Sequence, residues 1–268
     1  MQSTLRGSVP EYIGADLTDR YSAARRDIDL CGLRARGDDL IAEFWHWKWD
    51  PPPGRLVVDE IGAEIRAARA VMIDGSQALA RIGSNLRECE RRSSAAGKTG
   101  DRRPSAGPYA GFICGSLGLF AALDEVGIVV SPPGLTGGVS EIYPGYLWKI
   151  LSGGRPLPKK GTAEGRRDRK RILESFGVRG LCALPTHDEN DACLGALVAA
   201  AADGRVPGLE ACSIGGPLFR DAEGALREGP MVILRWQTPY RLERQLNPPP
   251  YGDGYTTVTT AEELLVKS

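Results

Sequence analysis

The alternation of apolar and polar positions divides the chain into short strands and a few helices. Tyr12-Ile13-Gly14-Ala15-Asp16 predicts a strand that ends in a carboxylate, and residues 28–33 and 44–49 predict a second and a third. Pro51-Pro52-Pro53-Gly54 closes that section. Val58, Ile61, Ile65 and Ala68 recur at helical spacing. The compact run Ala70-Val71-Met72-Ile73, ended by Asp74-Gly75, predicts strand four. Residues 83–108 form a polar, basic insertion with Arg87, Arg91, Arg92, Lys98, Arg102 and Arg103, read as including a mobile loop. A buried helix over 111–126 and a short apolar run at 128–130 follow. Ser140-Glu141-Ile142-Tyr143 predicts a further strand, stopped by Pro144. Residues 146–151 and 164–176 predict helices joined by a basic loop, 186–202 the clearest helix, and 231–236 a late strand.

Strands alternating with helices predict an α/β fold, a mixed sheet flanked by helices, with an antiparallel meander at its start. The reading is one elaborated domain over residues 1–245 and a loosely packed C-terminal tail over 246–268, beginning near Pro248-Pro249-Pro250. At 268 residues the chain needs no disulfide or metal staple to fold. Its net charge of zero, from 34 basic and 34 acidic residues, disfavours a protein that coats nucleic acid indiscriminately. Six scattered cysteines form no C-x-x-C pair, and His46 and His187 sit in no zinc spacing. The stretch from Met1 to Pro10 lacks the apolar core of a signal peptide, which predicts a reducing, cytoplasmic setting. The longest apolar stretch, 192–202, is too short for a bilayer, so no membrane partner is expected.

The candidate chemistry lies in carboxylates. Thr186-His187-Asp188-Glu189 is a capping-box start, and the segment 192–202 behind it carries no polar side chain. Asp188 and Asp191, three apart, share a face. Asp188 reads either as an acid favoured at a helix N-terminus or as a ligand. Asp191 opens the all-apolar segment, where an ionised carboxylate needs a partner or a metal; the metal reading is taken. Asp16 and Asp74 each end an apolar run, a position more often held by a turn former when taken alone. Glu141 lies inside a predicted strand, where Glu is disfavoured. Several such carboxylates on one sheet suit metal-assisted hydrolysis. Hard cations such as Mg²⁺ or Mn²⁺ take oxygen ligands, and two ions about 3.5–4 Å apart serve both the attacking and the leaving oxygen of a phosphodiester.

Gly14-Ala15-Asp16, Ile73-Asp74, Glu141-Ile142-Tyr143-Pro144 and His187-Asp188-x-x-Asp191-Ala192, in that order, resemble the domain-of-unknown-function family 429, predicted nucleases with an RNase H-like fold. Arg87-Glu88-Cys89 and the Lys159-Lys160 loop are also similar, and the likeness covers roughly residues 10 to 205. The pair Asp188 and Asp191 resembles the last-helix pair of RuvC-type junction resolvases. The resemblance implies an RNase H-like sheet with insertions and a divalent-metal-dependent nuclease. Its metal ligands would be Asp16, Asp74, Glu141 and Asp191, with Asp188 as a fifth catalytic acid. One departure is Gly75-Ser76, where family members commonly carry Ala-Pro.

Nucleic acid is the expected partner, with Lys159, Lys160 and Arg87 the candidate phosphate contacts. The basic run from Arg155 to Arg171 reads either as a solvated helix face or as a phosphate grip. Trp45, Trp47 and Trp49 alternate along a predicted strand, where packing is preferred to base stacking. His187 reads as a proton carrier or as a capping residue. Gly97-Lys98-Thr99 fails as a phosphate loop, because Arg92 stands where its first glycine belongs. Cys114-Gly115-Ser116-Leu117-Gly118 fails as a nucleophile elbow at its first position. Two competing functions follow: a non-catalytic nucleic-acid or protein binding module on the same fold, motivated by Gly75-Ser76 and the neutral charge, and an actin- or sugar-kinase-like ATPase.

Overall fold

The computed structural model describes residues 10–24, 26–49, 57–95, 98–107 and 109–237, with the side chains of 57–61 excepted. The turn expected at 51–54 and the tail expected over 246–268 lie outside the described residues.

The chain opens with β1 (Tyr12–Asp16), β2 (Ile28–Arg36) and β3 (Asp39–Trp47), then α1 (Val57–Ala67) and β4 (Ala70–Asp74). Next come α2 (Glu88–Ser93), α3 (Ala110–Glu125), β5 (Val139–Ile142), α4 (Pro144–Leu151), α5 (Ala163–Ser175) and β6 (Val178–Arg179). The remainder is α6 (His187–Ala202), β7 (Leu209–Ile214), β8 (Leu218–Arg220), β9 (Leu226–Glu228) and β10 (Met231–Trp236). Eight strands form one mixed sheet in the order β6-β3-β2-β1-β4-β5-β10-β7, and β8 and β9 form a separate ribbon.

The antiparallel opening is real: β1 pairs with β2 and β2 with β3. The β2–β3 hairpin runs longer than its apolar pattern predicts. Arg36 faces Asp39 across a two-residue turn whose first residue, Gly37, takes φ 63°, a conformation that glycine adopts without steric cost. From β1 the sheet turns parallel, through β4, β5 and β10. Pro144 does not end a strand region so much as start α4, at the first helical position where its missing N–H costs nothing. The helix α6 begins at Thr186, whose Oγ1 accepts from the Glu189 amide at 3.0 Å, while Glu189 accepts the Thr186 amide at 2.6 Å. The expected capping box is present.

Strand pleating divides the core into two layers. Tyr12, Ala70, Met72 and Ile142 face a cluster built largely from α6, including Ala192, Ala196, Ala199 and Ala200. Ile13, Ala15, Val71, Ile73 and Val139 face the other way, toward Ile65 of α1 and Leu119, Phe120 and Leu123 of α3. The helix α6 lies unusually close to the sheet. A Cβ on Gly14 would fall 2.0 Å from the Ala192 carbonyl and 2.3 Å from the Ala196 amide, and Gly195 sits directly over Gly14. Small residues on both elements therefore bring the start of α6 down onto the end of β1. Trp47 and Trp49 are buried in the second layer with Trp45 packed against it, and the Trp49 indole donates to Thr18 Oγ1 at 2.9 Å. Packing accounts for the tryptophan stripe.

The basic insertion is more ordered than its composition predicts. It contains α2, and its Arg87, Cys89, Glu90 and Thr99 are buried. Among the described residues no helix is long and apolar enough to cross a membrane.

Candidate active site

The parallel strands β1, β4 and β5 end together. Asp16 lies opposite Asp74 across the β1–β4 pair, and Asp74 lies opposite Ile142 across β4–β5. Outside these carboxyl ends is a cavity of about 550 Å³. This is where open α/β sheets place their ligands. Asp16, Asp74, Glu141, Asp188 and Asp191 all line it, together with Arg26, Arg87, Lys160, Arg169 and His187.

Asp16 and Asp74 are adjacent and uncompensated. Among the described residues neither forms an ion pair with a lysine or arginine. Burial pushes the Asp16 carboxyl well above its ordinary range, and the charges of Asp74, Asp191 and Asp188 push it further. Asp74 keeps part of its surface open to the cavity, yet desolvation first and Asp191 second raise it to about 7, with a hydrogen bond from Asp16 and the charge of Lys160 opposing the rise. Each of these neighbouring carboxylates disfavours the other's ionisation.

The α6 acids carry partners. Asp191, 2% exposed, accepts from the Trp148 indole at 2.6 Å and from Lys160 Nζ at 3.0 Å. Burial pulls the Lys160 ammonium down, but Asp191, then Asp16 and Asp74, carry the net shift upward. Asp188 accepts from Arg26 and lies 3.0 Å from His187 Nδ1. It therefore acts as both a favourable first-turn acid and a cavity wall.

Glu141, expected as a metal ligand, lines the cavity but already has partners of its own. Its oxygens accept from Arg87 Nη1 at 2.7 Å and Nη2 at 2.5 Å, and from the Gln77 amide at 2.9 Å. The sheet register explains this. Glu141 pairs with Ile73, whose side chain belongs to the α1–α3 layer, so the pleat points Glu141 to the face opposite Asp16 and Asp74. Arg87, expected as a phosphate contact, is fully buried, and its guanidinium also bonds Glu90 at 3.0 Å. Desolvation alone would lower Arg87; the Glu141 charge reverses this and holds it protonated.

Of the two candidate lysines, only Lys160 reaches the cavity; Lys159 is exposed beside it and does not line it. The basic run splits between both expectations. Arg169 is buried, bonding the carbonyls of Pro158 and Gly165 and lying over the Trp148 ring at 5.6 Å, whereas Lys170 and Arg171 pair with Glu174 and Asp168. Sequence reasoning missed Trp148, Arg26, Gln77 and Glu90. Glu90 had a legible signal, an acid three residues after Arg87; the indole and the amide had none.

The fold and the cavity define an α/β protein with a carboxylate-rich pocket at the ends of parallel strands. A family model, described as Protein of unknown function (DUF429), matches residues 66–211, more than half of the chain. The chain belongs to this family. No curated protein and no solved structure matches it.

Proposed function

We propose that the chain is a divalent-metal-dependent nuclease on an RNase H-like sheet. The observation that carries this reading is the pair Asp16 and Asp74, side by side across two paired strands with no cation partner among the described residues. Burying carboxylates together is costly unless a proton or a metal neutralises them. The antiparallel β1–β2–β3 opening followed by strands parallel to β1 supports the fold assignment.

The donor set fits a hard cation. Asp16, Asp74 and Asp191 offer only oxygen, as Mg²⁺ and Mn²⁺ prefer. Lys160 Nζ already stands as a positive charge against Asp191. Among the described residues no three acidic, His or Cys side chains converge as ready ligands, so the Asp16–Asp74 hydrogen bond and the Lys160 contact must give way first. When bound, such a cation supplies Lewis-acid charge and an acidified water.

The chain's own residues supply the rest. The cavity is lined by Asp16, Asp19, Asp74, Glu90, Glu141, Asp188 and Asp191 against Arg26, Arg87, Lys160 and Arg169, so its acids outnumber its bases and a phosphate is repelled until cations enter. Lys160, once freed from Asp191, and Arg26 are the half-exposed bases able to hold phosphate oxygens. His187, beside Asp188, is placed to carry a proton. Purified protein with Mn²⁺ is expected to cleave at least one of RNA, DNA or branched DNA, and Asp16→Asn or Asp191→Asn to lower the rate at least about a hundredfold. Cleavage that survives both substitutions overturns the reading.

The neutralisation of Glu141 by Arg87 and of Asp191 by Lys160 favours one second reading, a binding module whose site no longer loads metal. Calorimetry decides between them: Mn²⁺ heats that disappear in Asp191→Asn exclude the binding module.

A further inference from the structure

Resting on the nuclease reading, we propose that the cavity takes an unpaired nucleotide, whose base stacks on Tyr109 while its phosphate descends to the carboxylates and Lys160. Tyr109 and Phe112 both line the cavity, Tyr109 just before α3 and Phe112 in its first turn. Tyr109 is 53% exposed, so packing does not hold its ring there. It takes the N-cap position of α3 without making a side-chain cap. Its backbone is left-handed, φ 66° and ψ 0°, a conformation that disfavours a bulky side chain. Among the described residues its side chain makes no cap hydrogen bond and is half exposed, yet the ring stands at a pocket.

The mount beneath that ring is firm. Phe112 packs against the buried residues of both neighbouring clusters. Asp19 seats its carboxylate on the first turn of α3, where a Cβ on Gly111 would fall 1.9 Å from Oδ1, and the same oxygen accepts the Tyr21 amide at 2.8 Å. A third ring, Tyr143, lies over Gly145 and also lines the cavity.

The geometry selects the substrate form. Asp16 and Asp191 are 5% and 2% exposed, so the reacting phosphate must enter the pocket and cannot be met on its rim. In a continuous duplex both faces of each base are already stacked and the backbone is held on a wide cylinder. An unpaired nucleotide has a free face for an aromatic ring and a flexible backbone to follow it.

The test is fluorescence anisotropy on the full chain in Ca²⁺, with labelled short single strands of DNA and RNA and the blunt-ended duplex each forms with its complement. Single strands are expected to bind at least about tenfold more tightly than the blunt duplex. Tyr109→Ala and Tyr109→Asn, the latter tolerant of the left-handed backbone, are expected to weaken single-strand binding by about tenfold, with Tyr109→Trp restoring it. Unchanged binding in a folded Tyr109→Asn variant, or a blunt duplex bound as tightly as the single strands, overturns the proposal. If the wild type cleaves while Tyr109→Asn binds normally, the stacking proposal falls alone. If the wild type binds no nucleic acid, it falls together with the nuclease reading.

Discussion

Asp16 and Asp74 on one face of the sheet, and Glu141 on the other, are carboxylates at the same strand ends with opposite electrostatic fates. Glu141 meets a bidentate guanidinium and a backbone amide, all buried. Asp16 and Asp74 meet each other, with Asp191 beside them. The two regions sit one strand apart, in the β4–β5 pairing that sets Ile73 against Glu141 and Asp74 against Ile142. A single step of the pleat separates a finished ion pair from an unfinished one. The difference shows that strand register alone gives one acid an arginine partner and leaves two others facing each other.

The largest expected effect comes from breaking the finished side. Arg87→Met leaves Glu141 buried without its partner, alongside Glu90, and is expected to cost about 3–5 kcal/mol in denaturant unfolding. Arg87→Met combined with Glu141→Leu recovers much of that loss, because no buried charge then remains. A single variant as stable as the wild type removes the contrast between the two sides.

A pH titration of stability probes the unfinished side. Asp74 is raised in the folded state from an ordinary 3.8 to about 7, so the folded protein binds more protons than the unfolded chain between those values. Stability is therefore full below about pH 4 with respect to this group and falls as pH rises toward 7. Without metal the melting temperature is expected to drop by several degrees over that window. Asp74→Asn flattens the slope, and saturating Mn²⁺ at pH 7 restores the lost stability. A flat profile for the wild type contradicts the uncompensated pair.

The smallest effect belongs to the contact between the regions and solvent. The Lys160 side chain is 52% exposed, and its pair with Asp191 is partly screened. Lys160→Met is expected to change stability by no more than about 1 kcal/mol. The same variant should tighten Mn²⁺ binding in calorimetry by freeing Asp191. Weaker Mn²⁺ binding would instead show that Lys160 organises the acids.

Much of this was legible in the sequence. The apolar runs placed β1, β4, β5, β10 and the helices α3, α5 and α6 within a few residues, because each is long or strongly patterned. The capping box at Thr186 and Glu189 located the start of α6, and hence Asp188 and Asp191. The short strands β6, β8 and β9 carried too little pattern to see, and β7, Leu209–Ile214, went unrecognised with them. Gly37-Asp38 also hid the true length of its hairpin. Residue types at strand ends suggested five acids for one site.

What the sequence determined by itself was a set of local preferences: which segments pleat, which coil, and which carboxylates stand where apolar residues are expected. The tertiary structure alone decided which of those acids meet. The register of β4 against β5 turned Glu141 toward Arg87, a partner 54 positions away. The glycine contact between β1 and α6 lowered Asp188 and Asp191 onto Asp16 and Asp74. Local pattern sets a side chain's direction relative to its own strand, but its charge partner is fixed only by neighbours that the chain brings from far away.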